Sequence, residues 1–286
     1  MMPSAPRSPS QVCSSLAPSP KPPSVAGVKT LSLALLSVLG SYGPLAAAIV
    51  EQPLEYKVGD VTCEGWQVID DAVAGKRPGV LVVHQWTGIS EHEKEAARKL
   101  AATGYNVFLA DIYGKGIRPQ PPAAGREAGK YKSDRGLLRA RVNAALDVLA
   151  RDPRTDASKL AATGYCFGGT AVLELARSGA AVKGVVSFHG GLDSPTPADG
   201  KNIKAMVLAL HGADDPFVPA QDVAAFEAEM KTSEVDYKLV KYPGAVHSFT
   251  HKAAGTDNSK GAAYNADADR DSWFQMRGFL ERSFAR

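Results

Sequence analysis

One six-residue segment constrains the fold of this chain more than any other part of its sequence. Residues 164–169, Gly-Tyr-Cys-Phe-Gly-Gly, follow the apolar run Lys159–Thr163 and precede the helical pattern Thr170–Arg177. This order predicts a strand, a strained turn that the flanking glycines permit, and a helix. Cys166 then lies at a helix N-terminus, where the helix dipole and free N–H groups favour a thiolate. We therefore predict a nucleophilic Cys166; the alternative is a buried apolar cysteine in a glycine-rich loop.

Strand and helix signals alternate through the rest of the chain. The continuous apolar run Val80–Val83 is typical of a buried parallel strand, and Ser90 with Glu93 forms a capping box that opens a helix. This rhythm predicts an α/β fold with a mostly parallel central sheet of about seven or eight strands and helices on both faces. Residues 115–132 are polar and contain Pro and Gly, so we predict a cap loop there.

Two more chemical groups follow predicted strands. Asp214 and Asp215 come after the strand Ala205–Leu210, and His247 comes after the strand Tyr237–Val240. The carboxyl ends of parallel strands gather at one edge of a sheet, where such folds carry out their chemistry. Cysteine, acid and histidine in this chain order match the α/β-hydrolase fold and predict a catalytic triad.

Each predicted group has a distinct role. Cys166 attacks an ester carbonyl as a thiolate, and His247 holds the proton and later activates water. Asp215 orients the imidazole and stabilises its charged form, with Asp214 as the adjacent alternative. The backbone N–H groups of Phe167 and of Trp86, in the loop after the first parallel strand, form the predicted oxyanion hole.

Three further histidines stand at strand ends and have no predicted catalytic role. They are His84, His189 and His211. We expect His84 and His211 to be structural. For His189 we keep two interpretations open, a structural residue or one that faces the pocket.

Three motifs together resemble the dienelactone hydrolase family of cysteine hydrolases. They are residues 164–169, residues 215–219 (Asp-Pro-Phe-Val-Pro) and residues 247–249 (His-Ser-Phe), and the resemblance runs from about Tyr56 to the C-terminus. It implies a carboxylic-ester hydrolase, similar to carboxymethylenebutenolidase, that cleaves esters and lactones through a thioacyl-enzyme. It also implies Asp215 as the acid, and neither a cofactor nor a metal.

The chain departs from the family pattern at two positions. Gln85 stands where the family has a glutamate near the resting thiol, and His251 stands where well-known members carry an arginine for the substrate carboxylate. A neutral Gln85 removes a negative neighbour, so we predict a depressed pKa for Cys166. The alternative is that Gln85 faces substrate or backbone and never meets the sulfur. Arg126 or Lys130 with Tyr131 are candidate replacements for the carboxylate anchor; our predicted substrate-binding set is Gln85, Arg126, Tyr131 and His251.

The first 48 residues predict a leader. Residues 1–27 are rich in Pro and Ser, residues 31–39 form a short apolar core after Lys29, and Ala46–Ala48 supplies a small-residue cleavage site. We therefore predict a signal peptide over 1–48, export to the periplasm or exterior, and one α/β-hydrolase domain over 49–286. The alternatives are organelle targeting or a cytoplasmic protein, and translation could begin near Val28.

The net charge of +3 comes from the leader. Arg7, Lys21 and Lys29 lie in a stretch without acids, so the remaining body is formally neutral. Such a body gives no reason to expect nucleic acid or lasting membrane contact. We expect a monomer that binds a small ester or lactone. An acyltransferase or thioesterase on the same triad, or a non-catalytic binding protein of this fold, are the alternatives.

Overall fold

The computed structural model describes residue 20 and residues 48–286. Apart from Pro20 and Ala48, the predicted leader and its cleavage site lie outside the described residues. Ala48 itself joins the fold, because its N–H donates to Asp70 Oδ1 at 3.2 Å and its carbonyl accepts from the N–H of Asp71 at 3.1 Å. Across the described residues, no helix has both the length and the apolar character needed to cross a membrane.

A single eight-stranded sheet runs through the described residues. Its strands are β1 (Ile49–Val58), β2 (Val61–Asp70), β3 (Arg77–Val83), β4 (Asn106–Ala110), β5 (Thr155–Tyr165), β6 (Gly184–Phe188), β7 (Met206–Gly212) and β8 (Tyr237–Tyr242). They lie in the order β1-β2-β4-β3-β5-β6-β7-β8. Only β2 pairs antiparallel with its neighbours β1 and β4, and the other pairs are parallel. The prediction of a mostly parallel sheet of seven or eight strands is confirmed.

Helices cover both faces of this sheet. They are α1 (Glu91–Ala101), α2 (Ala123–Ser133), α3 (Arg135–Arg151), α4 (Phe167–Arg177), α5 (Ala220–Thr232) and α6 (Ala266–Phe284). Strand β3 shows the two faces directly, because Leu81 and Val83 belong to a core shared with α3, α4 and α5, whereas Val80 and Val82 belong to one shared with α1 and α6. Side chains alternate across a strand, so a strand buried on both faces has a continuous apolar sequence.

The capping box predicted at the start of α1 is present. The Ser90 side chain accepts from the backbone N–H of His92, and the Glu93 carboxylate accepts from the N–H of Ser90 at 2.9 Å. These bonds satisfy backbone donors that have no partner within the helix, so α1 begins at Glu91.

The prediction of a loop over residues 115–132 is wrong in its second half, which forms α2. Ala124, Ala128 and Tyr131 are the buried positions of this helix. Their spacings of four and three place them on one helical face. Two of the three are alanines, and Gly125 and Gly129 lie between them, so the apolar periodicity in the sequence was weak.

Candidate active site

Cys166 occupies the sharp turn between β5 and α4. Its backbone has φ 55° and ψ −115°, a conformation that L-residues rarely adopt. The chain passes very close to itself here. A Cβ on Gly164 would overlap the backbone of Gly168, and a Cβ on Gly168 would overlap the carbonyl of Val83. The glycines are therefore required by the turn, as the sequence predicted.

The structure brings together the three side chains predicted as a triad. Cys166 Sγ lies 3.0 Å from His247 Nε2, and His247 Nδ1 lies 2.8 Å from Asp215 Oδ2. The other carboxylate oxygen of Asp215 accepts from the N–H of Phe217 at 2.8 Å. The Asp215 carboxylate is fully buried and fixed, so it orients the imidazole toward the sulfur.

Three parallel strands of the sheet bring these side chains to one of its edges. Cys166 directly follows β5, Asp215 follows β7 by three residues, and His247 follows β8 by five. The backbone of His247 is anchored in turn, because its N–H donates to Gly261 O and its carbonyl accepts from the N–H of Ala263. Asp214 is exposed and accepts from the N–H of Gly244 at 3.0 Å, so it does not meet the imidazole.

The electrostatics favour a charged pair of thiolate and imidazolium. Burial opposes ionisation of Cys166, but the charge of His247, the hydrogen bond between them and the N–H of Phe167 hold the pKa of the thiol below its ordinary value. Burial likewise opposes a charge on His247, yet Cys166 and Asp215 raise the pKa of the imidazole to about 10. The direction predicted for Cys166 agrees with this environment.

A cleft of about 410 Å³ opens above Cys166. Its walls are mostly apolar, and Trp86 and the 62% exposed Phe217 belong to them. The described residues that line it are Trp86, Gly125, Ala128, Gly129, Lys132, Cys166, Phe167, Thr170, Gly191, Phe217, Val218, His247, Ser248 and Ala262. Lys132 is the one lysine or arginine among them, and its charge also lowers the pKa of Cys166.

Lys132 was not among the predicted substrate-binding residues, because a loop and not a helix was predicted for residues 115–132. Gly125, Gly129 and Lys132 follow one another at spacings of four and three, so they form one stripe of the helix along the cleft. Arg126 and Lys130, the predicted anchors, are both exposed and lie off this stripe, and neither lines the cleft. The predicted partner Tyr131 does not line it either.

Tyr131 instead packs behind the wall of the cleft, against Tyr113 and Phe167. Its ring is buried, its hydroxyl donates to Tyr113 O at 3.2 Å, and it packs edge-on against Phe167. The hydroxyl of Tyr113 in turn donates to the carbonyl of Trp86 at 2.9 Å. The loop that carries the predicted oxyanion donor Trp86 is thereby fixed relative to Phe167, the other predicted donor.

Gln85 and His251 are absent from the walls of the cleft and contact each other. Gln85 Nε2 lies 3.3 Å from His251 Nδ1, and the His251 ring packs against that of His92 with centroids 4.8 Å apart. The chain turns at Ser248, which has φ 58°, and the N–H of His251 donates back to Ser248 O at 2.8 Å. This turn carries His251 away from the cleft, so the structure does not place it or Gln85 where a substrate carboxylate would bind.

A histidine that the sequence left undecided contacts Cys166 from a different direction. The N–H of Cys166 lies 3.1 Å from His189 Nδ1, and the His189 side chain is fully buried. His189 follows β6 directly, so its strand-end position was the available signal. No group of three or more His, Cys, Asp or Glu side chains suited to a metal ion occurs in the part of the chain that the structure describes.

Comparison with known proteins places this chain among hydrolases. The sequence profile of the dienelactone hydrolase family matches residues 64–284. A Synechocystis protein named as a carboxymethylenebutenolidase is 26% identical over 74% of this chain and 89% of its own length. A Bradyrhizobium protein named as a 2-oxo-3-(5-oxofuran-2-ylidene)propanoate lactonase is 30% identical over 62% of this chain and 75% of its own. A solved dienelactone hydrolase-like promiscuous phosphotriesterase from metagenomic libraries is 37% identical, with a TM-score of 0.79 over 84% of this chain and 100% of its own.

Proposed function

The chain belongs to the dienelactone hydrolase family of carboxylic-ester hydrolases, and we propose that it opens an anionic lactone or ester through a thioacyl intermediate on Cys166. One observation carries the proposal: the two contacts of 3.0 Å and 2.8 Å that link Cys166, His247 and Asp215 in series. Acyl transfer requires a nucleophile, a base within hydrogen-bond reach and a group that orients the base.

The first half of the reaction forms the thioacyl-enzyme. The Cys166 thiolate attacks the carbonyl carbon, and the carbonyl oxygen becomes an oxyanion that the N–H groups of Phe167 and Trp86 stabilise. When the tetrahedral intermediate collapses, the bond between the carbonyl carbon and the ester oxygen breaks. The leaving oxygen takes the proton from His247 Nε2. In a lactone this oxygen stays attached to the acyl chain, so one product remains bound to Cys166.

The second half returns the enzyme to its starting state. Neutral His247 removes a proton from a water molecule, and the resulting hydroxide attacks the thioester carbonyl. The bond between carbon and sulfur breaks, the carboxylic acid leaves, and the thiolate and imidazolium pair forms again. Asp215 stabilises the imidazolium whenever it forms.

Lys132 points to the charge of the substrate. It supplies a positive charge to a mostly apolar cleft and pairs with no carboxylate among the described residues. A lysine with no protein partner is a ready counter-ion for a carboxylate on the substrate. The names of the two relatives, a carboxymethylenebutenolidase and a propanoate lactonase, both denote substrates with a carboxylate. Lys132 is therefore our candidate for the residue that binds the substrate carboxylate, a role for which the sequence analysis considered Arg126, Lys130 and His251.

A substrate panel combined with mass spectrometry tests the proposal. The panel contains a nitrophenyl ester, a carboxylate-bearing enol-lactone, a thioester and a phosphotriester, with and without an added alcohol as acyl acceptor. We expect the lactone to be preferred, and an acyl adduct on Cys166 in acid-quenched wild type that Cys166→Ala lacks. Cys63→Ala, at the other cysteine of the described residues, is the matched control. Full hydrolysis by Cys166→Ala refutes the mechanism, and a preference for the thioester or the alcohol acceptor favours the thioesterase or acyltransferase alternative.

The anchor is tested separately. Lys132→Met should lower kcat/KM for the carboxylate-bearing lactone about tenfold to a hundredfold, the usual range for one hydrogen bond to a charged group. The nitrophenyl ester should lose much less, and Lys132→Arg should retain most of the lactone activity. Lys130→Met is the matched control, because Lys130 is exposed two residues away and pairs with Glu127. Equal losses on both substrates would exclude a role for Lys132 in carboxylate binding.

A further inference from the structure

The backbone of Cys166 is held by a buried imidazole. The N–H of Cys166 is shared between Phe188 O at 3.0 Å and His189 Nδ1 at 3.1 Å. His189 is fully buried and has a φ of 39°, while its own N–H still donates to Leu210 O at 2.8 Å. The backbone of His189 is thus bonded to β7, and its side chain turns back to Cys166.

The hydrogen bonds define the tautomer of His189. Nδ1 faces a backbone N–H and can only accept, so the ring proton resides on Nε2. Nε2 lies 2.9 Å from Thr250 Oγ1, which accepts this proton in a hydrogen bond. The Thr250 hydroxyl can then donate to His92 Nε2, 3.5 Å away. Burial, followed by the charge of His251, lowers the pKa of His92 to about 4, so His92 is neutral and can accept. Donation thus runs in one direction, from Cys166 through His189 and Thr250 to His92.

Two strained residues face each other at this point. Cys166 and His189 both have positive φ, and neither is a glycine. Such conformations persist only where surrounding contacts hold them. The N–H of Cys166 fixes the peptide plane before the cysteine, and so restricts the rotation that directs Cβ and Sγ. Directly after Cys166 comes the N–H of Phe167, which helps to lower the pKa of the thiol.

We propose that His189 is a positioning residue for the reaction: its neutral imidazole, as the Nε2–H tautomer bonded to Thr250, holds the Cys166 backbone so that Sγ faces His247 and the Phe167 N–H faces the oxyanion. This role rests on Cys166 being the nucleophile, as proposed above. His189 itself touches neither substrate nor the reacting atoms. Its effect is geometric, and displacements of about 1 Å at a reacting group can cost about a hundredfold in rate.

The groups around His189 keep it neutral. Its ring lies 5.2 Å from that of His247, 5.1 Å from that of Phe249 and 6.2 Å from that of Tyr165, all measured between centroids. Burial first, and then the charge of His247, lowers the pKa of His189 well below its ordinary value; His92 and His251 act in the same direction. A proton on Nδ1 would also point at the N–H of Cys166. The catalytic imidazolium and the positioning imidazole are therefore compatible because only one is charged.

A matched pair of variants separates this role from simple packing. Asn at position 189 keeps an acceptor where Nδ1 stands and tolerates positive φ, whereas Leu has a similar shape and no acceptor. We expect His189→Leu to lower kcat about tenfold to a hundredfold with KM within about twofold, and His189→Asn to stay within about fivefold of wild type. Thr250→Val, which removes the acceptor for Nε2–H, should lower kcat by about threefold to tenfold.

The outcomes distinguish this proposal from the function it rests on. Wild-type kcat in His189→Leu, or equal losses in His189→Leu and His189→Asn, overturns the positioning role while Cys166→Ala stays inactive. Full activity in Cys166→Ala instead overturns the nucleophile. If His189→Leu does not fold, ¹⁵N NMR of the wild-type imidazoles decides the matter. His189 should remain a neutral Nε2–H tautomer from pH 5 to pH 9. Titration in that range, or an Nδ1–H tautomer, overturns the proposal.

Discussion

Two histidines contact Cys166, and the protein holds one of them charged and the other neutral. His247 follows β8, meets the sulfur at 3.0 Å and has its pKa raised to about 10. His189 follows β6, meets the backbone N–H at 3.1 Å and has its pKa lowered well below the ordinary value. Both are strand-end histidines at the same edge of the same sheet.

The second partner of each ring explains the difference. His247 has the Asp215 carboxylate on its far nitrogen, whereas His189 has the hydroxyl of Thr250. A carboxylate stabilises the imidazolium, and a hydroxyl cannot offset the desolvation of a fully buried charge. Because the two rings are 5.2 Å apart, a charge on His247 further disfavours one on His189. Position after a strand at this edge therefore places a histidine near Cys166, and the second hydrogen-bond partner of its ring determines whether it is charged.

Removal of the charged histidine should have the largest effect. We expect His247→Ala to lower kcat/KM by about 10³-fold to 10⁴-fold or more, because it removes both the proposed general base and the charge that stabilises the thiolate. The double variant with Cys166→Ala should be little worse than either single one. His251→Ala, a histidine outside the cleft, is the control for steady-state kinetics on the lactone. A loss below about tenfold in His247→Ala would contradict the assignment.

The carboxylate of Asp215 should matter nearly as much. Asp215→Asn is expected to lower kcat by about 10²-fold to 10⁴-fold, since the imidazolium loses its buried counter-charge and its orientation. The pH midpoint of Cys166 alkylation by iodoacetamide should rise, because the thiolate needs a charged His247. Asp214→Asn is the matched control, its carboxylate being exposed and bonded to Gly244. Similar losses in both variants would mean that Asp215 is not distinguished by its contact with His247.

The sequence could predict the contacts of Cys166 with His247 and Asp215, because these depend on the order of strands and loops along the chain. Cys166, Asp215 and His247 each follow an apolar run that predicts a strand, and parallel strands bring such residues together. The glycines around Cys166 likewise indicate a turn whose crowding the structure displays.

Other parts of the site depend on contacts between residues far apart in the sequence, which no local sequence pattern can predict. Lys132 reaches the cleft because α2 is a helix, and the helix was hard to predict because its buried alanines give a weak apolar periodicity and its glycines have a low helix propensity. The contact between Gln85 and His251 depends on a turn at Ser248, a residue type that gives no strong preference for positive φ. The neutral state of His189 depends on Thr250, 61 residues further along the chain.

The neutral state of His189 should affect how the free energy of unfolding changes at acid pH. With its folded pKa depressed, His189 stays unprotonated while the unfolded chain takes up a proton near pH 6.5, so stability falls as the pH drops below that value. Relative to wild type, His189→Asn should therefore gain up to about 2 kcal/mol of unfolding free energy between pH 6.5 and pH 5, measured by urea denaturation.

His247 supplies the contrast of opposite sign. Its raised pKa gives stability that is fully present below about pH 6.5 and is lost as the pH rises through about 10. Removal of this histidine should therefore lower the stability below about pH 6.5 and abolish the part of its decline that falls between about pH 6.5 and pH 10, while the slope of the curve below pH 6.5 stays as in wild type. An acid dependence in His189→Asn equal to that of wild type would mean that His189 does not stay neutral in the folded protein.

The smallest effect is expected at Gln85, where a substitution would act on the thiolate that pairs with the charged His247. A glutamate there would oppose the thiolate if it met the sulfur, but the side chain contacts His251 Nδ1 at 3.3 Å and does not line the cleft. In Gln85→Glu the new carboxylate should keep the contact with His251 and so stay away from the sulfur. We therefore expect the alkylation midpoint of Cys166 to rise by less than about half a pH unit. Gln85→Glu combined with His251→Asn removes this imidazole partner, and there the rise should be clearly larger. A rise of more than about one unit in the single variant would mean that residue 85 acts on the sulfur directly.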